Sequence, residues 1–279
     1  MSKEVVLSLG LTTIVGLSMG LGSLLSFFIK ETNKRFLAIA LSFSAGIMIY
    51  VSFMAILPEG MELIESYFGE QGGHLVALAG FFGGMLITAI VEKLVHKFGG
   101  HYHGHDDHHH EHGHHHEHGH HHEQNGEHLS KLGIMSAVAI AIHNLPEGLA
   151  IFTAGLKDIS VAVPIAAAVI LHNIPLSIAI SVPIYYSTGS KRKAFLYSLF
   201  VGLCQPFGAI IGYLILSRFF NDLVFGILFS IVAGIMIFVS LDELLPSSQR
   251  YEDHHISVYG AIAGMIVMAL SMSIFHHHH

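Results

Sequence analysis

Long apolar runs separated by short polar joints dominate the chain. Eight of them, at 5 to 29, 36 to 57, 74 to 96, 132 to 154, 161 to 186, 194 to 217, 222 to 245 and 257 to 275, are long enough to cross a bilayer, since a hydrocarbon core of roughly 30 Å needs about 20 helical residues. The pattern predicts an all-α integral membrane protein with eight transmembrane helices. The first run is too long for a cleaved leader and lacks a clear small-x-small cleavage site, so it is read as a span.

Two runs carry polar groups where hydrocarbon is expected. Span four contains His143-Asn144-Leu145-Pro146-Glu147-Gly148, and span five repeats the His-Asn-x-Pro core 29 residues later as His172-Asn173-Ile174-Pro175. On a helix, His143 and Asn144 share a face with Glu147, a spacing that suits metal ligation. Pro146 and Pro175 lack an N–H and crowd the carbonyls of Ile142 and Leu171, which predicts a kink beside each polar group. A carboxylate at mid-bilayer costs about 2.5 to 3.5 kcal/mol even on insertion scales, so Glu147 requires a partner. That partner is either protonated His143 or a cation. The imidazoles of His143 and His172 with the Glu147 carboxylate make a three-ligand, partly open set that suits Zn²⁺ and is also open to Fe²⁺, Mn²⁺ or Cd²⁺. Asn144 and Asn173 fit interhelical hydrogen bonding as well as ligation.

The chain also repeats itself. Residues 41 to 58 align without gaps on 229 to 246 with ten identities in eighteen positions, and Val15-Gly16-Leu17 is echoed by Val201-Gly202-Leu203. Spans one to three (residues 1–96) therefore correspond to spans six to eight (194–275), around a central pair (132–186). Span one enters the membrane from the side opposite to span six, so the halves are inverted, as in secondary transporters with a site near the midplane.

Composition fits that picture: 52% of residues are hydrophobic and 12% charged, too apolar for a soluble domain of this length. The single cysteine, Cys204, excludes an intrachain disulfide and a thiolate cluster. Nothing points to nucleic acid. Ten of the thirteen lysines and arginines fall on one side of the predicted spans, which places both termini outside and the 97–131 loop in the cytoplasm. Residues 96 to 128 hold sixteen histidines among Gly, Asp and Glu, a composition that predicts a disordered segment binding metal weakly and at many points. Glu59, Glu62, Glu65 and Glu70 face outward without a basic neighbour and would concentrate an approaching cation. The closing His276 to His279 is set aside as a tag remnant.

HNLPEG in span four, HNIP in span five, the SLDELLP end of span seven and the His-rich loop resemble the ZIP (Zrt/Irt-like) family of divalent metal transporters, in particular its bacterial ZupT-like branch. The resemblance covers essentially the whole chain. It implies a 3+2+3 helix arrangement, Zn²⁺ uptake across the cell (inner) membrane and a homodimer. It further implies movement of helices one, four, five and six past the others, and metal ligands at His143, Asn144, Glu147, His172 and Asn173. Three positions depart from the family pattern: Leu176 and Ser177 replace a Glu-Gly pair, Gln205 replaces a glutamate in span six, and Ala55 replaces one in span two. Each loss removes negative charge, and Glu147 alone cannot readily neutralise two divalent ions in a low-dielectric site. The expectation is one ion, bound by His143, Glu147 and His172 and assisted by Asn144, Asn173 and Gln205. A transport-deficient metal sensor or buffer is the competing reading. A metalloenzyme is disfavoured by the absence of an HExxH motif and of a second general base near the site.

Overall fold

The computed structural model describes residues 2–28, 33–98 and 121–276, and every ordered element in them is helical. The helices are α1 (Lys3–Ser26), α2 (Lys34–Val51), α3 (Leu57–Phe98), α4 (His121–Lys157), α5 (Ile159–Thr188), α6 (Lys191–Leu216), α7 (Asp222–Val239), α8 (Leu245–Gln249) and α9 (His254–His276). Their starts are written in the sequence: the side chains of Ser2, Asn33, Asp158, Ser190 and Asn221 each accept a backbone N–H of the following first turn, satisfying donors that have no partner within the helix. α5 ends on Gly189, whose φ of 65° is the left-handed conformation of a helix stop. α4 continues through Pro146, and α5 through Pro164, Pro175 and Pro183.

Two boundaries differ from the apolar pattern. The polar stretch expected as a loop between spans two and three is helical: a π-helical turn, Ser52–Ile56, joins α2 to α3, and α3 leaves helical geometry only at Gly69, with φ 70° and ψ 171°. Its glutamates are good helix formers, so polarity alone does not end the helix there, whereas glycine supplies the one bend. α4 begins at His121, inside the stretch read as a disordered loop; the rest of that His-rich segment, residues 99–120, lies outside the described residues, as do 277–279.

Among the described residues six helices are long and apolar enough to cross a membrane, the continuous stretch Lys34–Leu94 counting as one of 61 residues. They pack as two groups. α1, α4, α5 and α6 contact one another on all sides, while α3 lies along α7 and α2 along α9. The groups meet mainly where α2 packs on α5, and more lightly where α4 meets α7.

The internal repeat is visible in the contacts. A Cβ on Gly16 would strike the carbonyl of Gly202, and a Cβ on Gly202 would strike the carbonyl of Gly16, so α1 and α6 cross at equivalent glycines as a two-fold axis requires. Gly22 meets the carbonyl of Ile174 on α5, and Gly208 meets that of Leu145 on α4, which relates the central helices by the same operation. A second π-helical turn, Ser240–Leu244, occupies the position in α7 that Ser52–Ile56 occupies after α2. Ser52 Oγ donates to Met48 O and Ser240 Oγ to Met236 O, both at 2.7 Å.

Candidate metal site

α4 and α5 carry their polar residues into the middle of the four-helix group, where His143, Asn144, Glu147, His172, Asn173 and Gln205 are each no more than 4% exposed. Glu147 is the centre. Its Oε1 lies 3.1 Å from His172 Nε2, and its Oε2 accepts a 2.6 Å hydrogen bond from Gln205 Nε2. His143, one turn earlier on α4, interacts electrostatically with the same carboxylate. Asn173 Nδ2 reaches Gln205 Oε1 at 3.4 Å, Val15 O at 3.2 Å and Ser18 Oγ at 3.3 Å.

The asparagines play matching parts. Asn144 Nδ2 donates to Val201 O at 2.9 Å and approaches Met19 Sδ at 3.5 Å, while Asn173 serves Val15 O and Gln205 on the other side. Val15 and Val201 are equivalent in the repeat, and Met19 and Gln205 each stand three residues after the crossing glycine of their helix. The site therefore straddles the two-fold axis. Glu147 breaks the symmetry, because its counterpart is Leu176, which is fully buried in the apolar core.

Several buried polar atoms here have no hydrogen-bond partner among the described residues. Asn144 Oδ1, Asn173 Oδ1 and His172 Nδ1 are buried without a hydrogen bond, and Glu147 Oε1 and His172 Nε2 are close but not aligned as one. An unsatisfied buried polar atom costs about 1 to 3 kcal/mol, so a cluster of oxygen and imidazole lone pairs suits a cation. The expected set of two imidazoles and a carboxylate does not close on a single point: among the described residues no three His, Cys, Asp or Glu side chains are grouped to hold a metal. Beside the Glu147–His172 pair stands the Gln205 amide.

Met19 and Ser18 are site neighbours that motif reading passed over, as is Ser44, whose hydroxyl donates to His172 O at 3.1 Å. The repeat alignment held the signal for Met19, since it sets that residue opposite Gln205. Gln205 turns its donor, not its oxygen, toward Glu147. The reverse orientation would set a carbonyl against a carboxylate, so the neighbours fix the amide. Outside the centre, Asp242 and Glu243 lie in the second π-helical turn with Glu92 near Glu243, and Glu59 pairs with Lys157. Ala55 lies in the first π-helical turn, and Ser177 packs against Gly22.

The chain is similar to known proteins along nearly its whole length. The family model described as ZIP Zinc transporter matches residues 2–272. The chain is 46% identical over 275 residues to a zinc transporter ZupT of Streptococcus mutans, covering 99% of this chain and 100% of that one. It is 45% identical over 284 residues to one from Clostridium perfringens, covering 98% and 97%, and 46% identical over 274 residues to one from Nitratidesulfovibrio vulgaris, covering 98% of both. With a family match spanning nearly every residue and relatives aligned end to end, the chain belongs to the ZIP zinc transporter family.

Proposed function

We propose that this protein moves Zn²⁺ across the cell membrane into the cytoplasm by way of a single ion bound between α4 and α5. The observation that carries the reading is Glu147, a carboxylate buried in an apolar bundle beside His172 and ringed by acceptors without donors. A divalent cation beside Glu147 Oε1 takes the lone pair of His172 Nε2 and is open to the amide oxygens, while His172 Nδ1 keeps the ring N–H. Glu147 Oε1 and His172 Nε2 supply the first two ligands and Asn144 Oδ1 and Asn173 Oδ1 neutral oxygens, with His143, not grouped with them in this conformation, joining as the second imidazole when the ion binds. An incomplete, mixed shell of this kind releases what it binds, as a carrier must. Gln205 holds Glu147 through its N–H in place of giving an oxygen to the metal. With Leu176 apolar and Gln205 neutral, charge balance supports one ion and not two.

In this reading the stretch Lys34–Leu94 crosses the bilayer twice, turning at Gly69, and α4 contributes the eighth span of a 3+2+3 arrangement. Both termini lie outside, the His-rich segment lies in the cytoplasm, and two chains form a homodimer. Relatives that are named zinc transporters over their full length support zinc as the cargo.

Zinc uptake into proteoliposomes tests the centre. Glu147→Ala and His172→Ala are expected to lower the initial rate at least about a hundredfold while the protein keeps its elution profile and helical content. Undiminished uptake in both variants would remove the site.

A further inference from the structure

At the end of the molecule that the lysine and arginine distribution places outside, Lys157 Nζ lies 2.7 Å from Glu59 Oε1. Lys157 is the last residue of α4, about 15 Å along that helix from Glu147 at ~1.5 Å per residue. Glu59 is in the first turn of α3, and the next residue, Gly60, packs against Gly226 and Ser230 of α7 without room for a side chain. Glu59 is thus anchored to one helix group and Lys157 ends the site-bearing helix of the other. Among the described residues α3 and α4 share no extended packing face, so the pair adds a direct tie between the groups to the light contact of α4 with α7. Its side chains are 30% and 22% exposed, within reach of water and ions, and an ion pair so placed is weak enough to exchange.

The repeat sharpens the point. Under the two-fold correspondence Glu59 maps onto Ser247 and Lys157 onto Tyr186, residues that cannot form an ion pair. The two ends of the bundle are therefore unequal, and the salt bridge favours closure of the outer one. A divalent cation carries twice the charge of an ammonium and coordinates carboxylate oxygen directly, so it competes with Lys157 for Glu59. Exposed Glu62, on the same helix, raises the local cation concentration.

We propose that the Glu59–Lys157 pair is the outer latch of the transport cycle, opened when an arriving divalent cation takes the Glu59 carboxylate from Lys157 and frees the end of α4. This rests on zinc transport through Glu147 and on the outward placement of that end, and the experiment separates the three. Glu59→Cys with Lys157→Cys, in a Cys204→Ser background, is reconstituted with its outer face exposed and joined by a short, membrane-impermeant, reducible bis-thiosulfonate linker. Uptake of the linked protein is expected to fall at least tenfold and to return on reduction of the same sample. Transport by the linked protein at its reduced rate would overturn the latch, and reaction of the linker only from the opposite face would overturn its placement. Independently, Lys157→Gln is expected to lower the external zinc concentration for half-maximal uptake about threefold or more, and Glu59→Gln to raise it by a similar factor. Shifts in the same direction, or no shift in either, would also overturn it. If Glu147→Ala retained uptake, the central site would fail while these two results still judged the latch.

Discussion

Glu147 is the residue to which the surrounding chemistry answers. Gln205 fixes one of its oxygens at 2.6 Å, His172 stands 3.1 Å from the other, and the repeat offers no second carboxylate because Leu176 occupies the matching position. Gln205→Glu tests that account. It would set two carboxylates in contact inside a buried site, where they cannot both ionise unless a proton or a second cation lies between them. The expected outcome is a rise from one to two zinc ions per chain, measured by equilibrium dialysis and elemental analysis on protein lacking residues 101–120. A single ion in both proteins would show that Gln205 does not set the count. Protons compete for the same lone pairs, because imidazole binds metal only when neutral. Zinc affinity is therefore expected to weaken as pH falls, and zinc titrations at a series of pH values check the sign.

The helices themselves were largely legible from the chain. Apolar length located them, whereas the capping contacts of Asn33, Asp158, Ser190 and Asn221 that set their starts come from the structure. The bend between spans two and three was not, because Glu59, Glu62 and Glu65 fit a helix as readily as a loop and only Gly69 carries the turn. Nor could spacing tell which side of α4 the site would favour. His143 and His172 were both legible as candidate site residues, but the 3.1 Å approach of His172 to the carboxylate was not, since it depends on how α4 and α5 are rotated against α1 and α6. The amide of Gln205 was legible as a polar group but not as a donor, which its neighbours decide. At this scale the contact that matters most is the crossing of α1 and α6 at Gly16 and Gly202, because the carbonyls one residue before each glycine hold Asn173 and Asn144. Gly202→Val is expected to push the helices apart, destabilising the fold by roughly 1 to 3 kcal/mol as overpacking does and reducing uptake further by displacing both asparagines. Gly10→Ala, on α1 where nothing lies within 4 Å, is the control. Thermal melts and uptake assays of the two variants should diverge, and equal behaviour would mean that the crossing is not close-packed.

At the scale of the molecule, two helix groups pack around the candidate site, whose residues are buried. At one end Leu37 of α2 packs with Ile178 and Val182 of α5, with Ile174 and Tyr251 against them. At the other end the groups are tied by Lys157 and Glu59. With His172 and Gln205 fully buried between these closures, a metal ion cannot reach its ligands until the groups move apart. Binding then includes a conformational step, and motions of this size take roughly microseconds to milliseconds. If opening precedes capture, the apparent affinity is reduced by the small fraction of open molecules. The association rate should also stop rising once capture outpaces opening. Stopped-flow mixing of zinc with detergent-solubilised protein lacking residues 101–120 is expected to give a rate that climbs at low metal concentration and reaches a plateau. Lys157→Gln should raise that plateau, since one tie that holds the groups together is gone, whereas Glu147→Ala should abolish the signal. A rate that stays proportional to zinc concentration up to the diffusion limit would mean that the buried site is open on the timescale of encounter, and that closure of the two groups does not control access to it.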